Sequence, residues 1–282
     1  MTVKIRHWTE LRCTGGIYGI RTRSNLRGNI VMIYITGDCH QNFERFNTSI
    51  FPEQKKMTKE DYVIICGDFG GVWNKDEESK EETMLMDWLE CKSFTTLFVD
   101  GNHENFDRLY EYPVELWHGG KVHKIRPSVI HLMRGQVFDI DGKTFFSFGG
   151  AASHDIDGGI LNLDDPGFKQ KRRELNKSML SYRINHLSWW ERELPTEEEM
   201  TEGRKTLALN GNKVDFIVTH CCSSSTQALL SGGMYKPDIL TKYLEEIRQT
   251  TKFNKWFFGH YHDNLNVNSE EILLYEQIIR IS

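Results

Sequence analysis

Four short clusters in this chain set carboxylate, amide and imidazole side chains beside glycines: Gly37-Asp38-Cys39-His40, Gly67-Asp68-Phe69-Gly70-Gly71, Gly101-Asn102-His103-Glu104 and Gly259-His260-Tyr261-His262. A lone His220 follows the apolar run Val214 to Thr219. Together they hold five of the eleven histidines, two aspartates and an asparagine. Carboxylate and amide oxygens with imidazole nitrogens are the donors that hard and borderline divalent metals accept. Two such ions sharing one carboxylate can hold both the attacking and the leaving oxygen of an in-line displacement, the chemistry of phosphate ester hydrolysis.

Donors this far apart in sequence must be gathered by a fold, and each cluster stands where a strand should end. Val31 to Thr36, Tyr62 to Cys66 and Thr95 to Val99 are short apolar runs rich in β-branched residues, halted at or next to a glycine. Apolar throughout, they read as strands buried on both faces, as in a parallel sheet with helices outside. Between the second and third, Ser79 with Glu82 forms a capping box, and Leu85, Trp88 and Leu89 give a helical apolar face. The β-α-β-α-β order predicts that the loops of Asp38, Asp68 and Asn102 share the C-terminal edge of one sheet, where α/β proteins place ligands.

After Pro127 the pattern changes. Val129 to Met133, Gln136 to Ile140 and Lys143 to Phe148 alternate, and Asp141-Gly142 makes a two-residue hairpin turn, so a second, antiparallel sheet region is expected here. Residues 151–200 show no regular core pattern until Ser188-Trp189-Trp190 and read as a cap over the site, with an ordinary surface excursion as the alternative. Thr196 with Glu199 caps a following helix. Val214 to Thr219 delivers His220, and Pro237 opens a helix with Ile239, Leu240, Tyr243, Leu244 and Ile247 on one face. Lys255 to Phe258 delivers the final histidine pair, and Glu271 to Ile281 reads as a closing strand.

At 282 residues the chain can bury a sizeable core in one or two domains. Its formal charge of −5 is unevenly spread: residues 1–31 hold six Lys/Arg and one Glu, leaving −10 over 32–282. That balance disfavours a long nucleic acid partner, which would need a local basic surface. Residues 1–31 lack periodic apolar spacing and read as a basic extension, either from a start codon placed too early or as a tail that docks a partner. Six cysteines without C-x-x-C pairs suit a reducing cytoplasm. No apolar run approaches the roughly 18 residues of a membrane span, and no secretory segment opens the chain.

The five blocks, in this order, resemble the signature of the calcineurin-like metallophosphoesterases: D-x-H, G-D, G-N-H-[D/E], a lone H and G-H-x-H. Twenty-six residues separate His40 from Gly67 and thirty-two separate Asp68 from Gly101. Each block alone is weak; five in register are specific, and the likeness covers 32–282. It implies an α/β fold of two mixed β-sheets flanked by helices, a four-layer α/β/β/α sandwich. It also implies metal-dependent hydrolysis of phosphoesters, on small molecules or phosphoproteins, by a hydroxide bridging two divalent ions.

Carried over residue by residue, the resemblance gives one ion Asp38, His40, Asp68 and His262, and the other Asp68, Asn102, His220 and His260. Mixed nitrogen and oxygen ligation leaves manganese, iron, zinc and nickel undistinguished. Two carboxylates against two dications leave a charge near +2, attractive to an anionic ester, and the neutral Asn102 preserves that surplus. His103 would be the general acid that protonates the leaving oxygen. Glu104 or Asp100 would orient it, a choice the sequence leaves open. Gly37 and Gly259 are expected to free the loops to turn, so that D-x-H and H-x-H side chains converge. Substrate contacts are sought at Asn102, Arg108, Arg172 and Arg173; each arginine also reads as a solvated surface residue.

The chain departs from the wider family at Gln41, where glycine is common. It also lacks the Asp-Arg-Gly that follows the second block of serine/threonine protein phosphatases. Two other classes stay open. A non-catalytic scaffold usually loses ligands or the acid histidine, which this chain keeps, and a nuclease would need a basic groove.

Overall fold

The computed structural model describes residues 30–282. The basic segment expected at 1–31 therefore lies, up to position 29, outside the described residues.

The chain opens with β1 (Ile33–Thr36), β2 (Tyr62–Ile65) and β3 (Thr95–Phe98), paired in parallel as their apolar runs predict. The helix expected before β3 is α1 (Lys80–Glu90), and both hydrogen bonds of its Ser79–Glu82 capping box are made. The crossover from β1 to β2 contains two short 3₁₀ segments, Glu44–Phe46 and Pro52–Lys56, where the βα alternation predicted an α-helix. After α2 (Phe106–Leu109) comes a hairpin, β4 (Val114–Trp117) and β5 (Gly120–Arg126), then β6 (Val129–Leu132). β6 was expected in the second sheet, yet it pairs in parallel with β3. The second sheet begins only at β7 (Gln136–Ile140) and β8 (Lys143–Phe148), joined through Asp141 and Gly142, both at positive φ, as a two-residue turn requires.

Next, β9 (Ile160–Leu161), α3 (Phe168–Ser178) and β10 (Arg183–Ile184) form a separate outgrowth in which β9 and β10 pair only with each other, and α3 buries no residue. The chain then re-enters the core with α4 (Glu197–Leu209), whose Met200 and Leu207 are buried. These three elements span 160–184, within the 151–200 segment read from sequence. β11 (Phe216–Thr219), α5 (Ser224–Ser231), α6 (Ile239–Thr250), β12 (Lys255–Phe258), β13 (Leu265–Asn266), β14 (Glu271–Leu273) and β15 (Ile279–Arg280) complete the chain. The single closing strand expected over Glu271 to Ile281 is two strands, one in each sheet.

Among the described residues the sheets run β15-β1-β2-β3-β6-β5-β4 and β13-β14-β12-β11-β8-β7, both mixed. Alternation along the strands builds the layers. Ile33, Ile35, Ile64 and Leu97 face Phe145, Phe216, Val218 and Phe257 in a core between the sheets. The opposite faces, Tyr34, Val63, Ile65 and Phe98, pack on Met86 and Leu89 of α1. Behind the second sheet, Phe146, Ile217, Trp256 and Phe258 pack on Met200 and Leu207 of α4 and on Leu240, Leu244 and Ile247 of α6. This is the four-layer α/β/β/α sandwich. It brings the ends of β1, β2, β3, β11 and β12 to one rim.

Candidate metal centre

The loops after β1, β2 and β12 turn within two to four residues of the strand end, and ligands themselves take part in the turn. His40, Gln41, Asp68, His260 and His262 all sit at positive φ, between 46° and 70°. Each such non-glycine residue costs on the order of 1 kcal/mol, a cost sustained where the surroundings over-determine the backbone. This lets side chains two apart in sequence converge. Gly37 and Gly259, expected to supply the turn, instead permit close approach. A Cβ on Gly37 would stand 2.0 Å from the Leu274 carbonyl oxygen, and one on Gly259 2.0 Å from Asp38 Oδ1.

Asp38, His40, Asp68 and His262 can each offer one donor atom such that all four lie within 4.8 Å of one another. Within that group the Nε2 atoms of His40 and His262 are 3.0 Å apart, and His262 Nε2 is 3.1 Å from Asp38 Oδ2. Asp68 faces two ways. Its Oδ2 is 3.5 Å from His40 Nε2, while its Oδ1 is 3.4 Å from His220 Nε2. His220 Nε2 is also 3.3 Å from Asn102 Oδ1, and the His220 and His260 rings are 5.1 Å apart. The structure therefore brings the two sets read from the motifs to adjacent places, with Asp68 between them.

Backbone contacts hold these donors in place. His220 Nδ1 donates to the Cys66 carbonyl at 2.8 Å, since a carbonyl can only accept, and this turns Nε2 toward the carboxylates. The backbone N–H of His103 donates to Asp68 Oδ1 at 2.7 Å. Arg45, not singled out in the sequence, donates to the Asp38 carbonyl at 2.6 Å and to Thr36 Oγ1 at 2.7 Å, tying down the first loop. Asn102 Nδ2 donates to Ser153 Oγ at 3.3 Å, and the Ser153 N–H donates to Glu193 Oε2 at 3.1 Å.

The charges fit a cation site. Burial alone would raise the Asp68 carboxyl, but the charge of His220 and its hydrogen bond, with His103 and His40 behind, hold it well below the usual carboxylate range. Burial opposes the charged form of His220 as well, yet Asp68 and Asp38 push it up to about 10, so without a metal a proton on this imidazole balances the carboxylates. Burial drives His260 well below the ordinary imidazole value, which leaves it a neutral donor. Apart from the proton on His220, which a bound cation would displace, carboxylate oxygens and imidazole nitrogens are the donor chemistry that divalent metals accept.

His103 stands beside these groups. Its ring is 4.9 Å from that of His40 and 6.2 Å from that of Trp73. Burial lowers its pKa, with Asp68 working the other way. Neither carboxylate considered for orienting it does so. Glu104 accepts from the backbone N–H groups of Phe69 (2.8 Å) and Gly70 (3.0 Å), bracing the second loop. Asp100 is bound by His131 Nε2 at 3.1 Å and by Arg134 Nε at 2.9 Å. The side chain that does approach is Arg183 of β10, with Nη2 3.5 Å from His103 Nε2. Its signal in sequence was faint, one arginine in an insertion without periodicity.

The other arginines lie elsewhere. Arg108 is buried, donating to the two Glu82 oxygens at 3.1 and 2.8 Å and to the Asn74 carbonyl at 3.0 Å, so neither the substrate contact nor the solvated side chain read from sequence holds for it. Its four-residue offset from Glu104 spans the short helix α2 and turns it back toward α1. Arg172 and Arg173 lie on the exposed α3, where Arg172 donates to the Tyr182 hydroxyl at 3.1 Å.

Comparison with known proteins agrees with this geometry. A model of the calcineurin-like phosphoesterases matches residues 31–264. The chain belongs to the calcineurin-like phosphoesterase family. Members of this family act on phosphoesters and normally use divalent metals, in keeping with the Asp38, His40, Asp68 and His262 cluster. The chain is also 31% identical over 98 residues to lariat debranching enzyme A of Xenopus laevis; the match takes in 30% of this chain and 18% of that enzyme. Among the described residues, no helix of this family member is long and apolar enough to cross a membrane.

Proposed function

We propose that the chain is a two-metal phosphoesterase with His103 as its general acid. The observation that carries this reading is the division of Asp68, one oxygen toward His40 and the other toward His220. Asp38, His40, Asp68 and His262 would hold one ion, and Asp68, Asn102, His220 and His260 the other. When bound, the ions supply the hydroxide nucleophile and neutralise the phosphoryl oxygens.

The protein's own part is positioning and proton transfer. The Cys66 carbonyl fixes the His220 tautomer, and the Asp38 carboxylate, gripped by the His260 N–H at 3.0 and 3.2 Å, locks the first and last motifs together. His103 makes no side-chain hydrogen bond shorter than 3.5 Å among the described residues, so its Nε2 is available to a leaving oxygen. Once protonated it gives that proton as the ester bond breaks, a step worth roughly 10²–10⁴ in rate. The outgrowth of β9, α3 and β10 acts as the cap, because it carries Arg183 to His103.

A panel of phosphomonoesters and phosphodiesters, assayed on protein reconstituted separately with manganese, iron, zinc and nickel, tests this function. Turnover of at least one ester that disappears on chelation is expected. Fully metallated protein inert on the whole panel would contradict it.

A further inference from the structure

The guanidinium of Arg183 is held in place with part of its bonding capacity unspent. Asp155 takes Nε at 3.0 Å and one Nη2 hydrogen at 2.6 Å, a bidentate pair at the edge of the outgrowth. The second Nη2 hydrogen points toward His103 Nε2 at 3.5 Å. Nη1 has no hydrogen-bond partner among the described residues, although the Arg183 side chain is only 15% exposed while that of Asp155 is 49% exposed. Nη1 is not sealed from solvent, so it can exchange water for a ligand oxygen. The free Nη2 hydrogen faces the acid histidine, whose own backbone N–H is bonded to Asp68.

We propose that Arg183 is a phosphate-binding residue, supplied by the cap and braced by Asp155, that grips the substrate's non-bridging oxygens beside the leaving group. The inference rests on the assignment of His103 as the acid. An oxygen close enough to receive a proton from His103 Nε2 lies on a phosphoryl group whose other oxygens come within reach of the same guanidinium. Arginine suits this task because its planar fork matches two oxygens of one phosphate, whereas lysine offers a single point charge. Asp155 orients the group: an ion pair with one half-exposed partner adds little stability but removes rotamers from the arginine.

The test measures inorganic phosphate binding to manganese-loaded protein by calorimetry, beside metal content and kcat and KM for p-nitrophenyl phosphate and bis(p-nitrophenyl) phosphate. Arg183→Ala should keep its metals and weaken phosphate binding about 10- to 100-fold, the range of one charge-assisted hydrogen bond. Arg183→Lys should recover part of the loss, and Asp155→Asn should show a smaller loss of the same kind. Weakened phosphate binding in a protein that hydrolyses neither ester would sustain the phosphate site while sinking the phosphoesterase reading. Unchanged phosphate affinity in Arg183→Ala, or a loss that merely tracks lost metal, would overturn the proposal whatever the activity.

Discussion

The backbone N–H of His260 donates to both carboxylate oxygens of Asp38, at 3.0 and 3.2 Å, across 222 residues of sequence. The last motif of the chain is thereby pinned to the first, and Gly259 is what allows the approach. A Cβ there would meet Asp38 Oδ1 at 2.0 Å and the Cys66 carbonyl oxygen at 2.8 Å. Because φ at Gly259 is not positive, the obstacle is steric alone.

Gly259→Ala is therefore expected to displace Asp38 and lower metal occupancy by at least tenfold at limiting metal. Elemental analysis after dialysis against a fixed free metal concentration checks it. Retention of wild-type occupancy would show that the Asp38 contact is dispensable.

His103→Ala should keep its metals, since His103 belongs to neither donor set, and should lose roughly 10²–10⁴-fold in rate on esters with basic leaving groups. On p-nitrophenyl phosphate, whose leaving group scarcely needs a proton, the loss should shrink. Kinetics on paired substrates decide this, and a defect indifferent to leaving-group basicity would remove His103 as the acid.

Glu193 offers a pH test. Burial raises its carboxyl to about 8, and its Oε1 has no hydrogen-bond partner. The folded state thus keeps a proton that the unfolded chain releases near 4.5, so stability should fall as pH rises from about 4.5 to about 8 and level off above that. The slope from this one group is at most about 1.4 kcal/mol per pH unit. Glu193→Gln keeps an acceptor for Ser153 and should flatten that part of the curve. Urea denaturation of metal-free protein at pH 5, 6.5 and 8 provides the comparison, and identical pH profiles for the two proteins would show that Glu193 is ionised throughout.

What the sequence revealed and what it hid follow from the range of the interactions. The convergence of Asp38, His40, Asp68, Asn102, His220, His260 and His262 was legible because donor chemistry limits residue types and each motif abuts an apolar strand run. The capping boxes at Ser79 and Thr196 and the Asp141-Gly142 turn were legible because they are local. Sheet membership was not. β6 and β7 both alternate, and only their partners, β3 and β8, place them in different sheets. The β4–β5 hairpin was missed although His118 and Gly119 both take positive φ at its turn, because histidine is an unusual residue there. Arg108, sought at the substrate, pairs with Glu82, while Arg183, not singled out in the sequence, reaches His103: what an arginine does depends on which residue stands opposite, and neither neighbour is near in sequence.

The central claim, that two cations shared through Asp68 make this site a phosphoesterase, is tested most directly by titrating metal into the apoprotein while following p-nitrophenyl phosphate hydrolysis. The account predicts activity that rises to a plateau at two equivalents per chain, and almost none at any metal concentration in Asp68→Asn. A plateau reached at one equivalent, or undiminished turnover in Asp68→Asn, would contradict it.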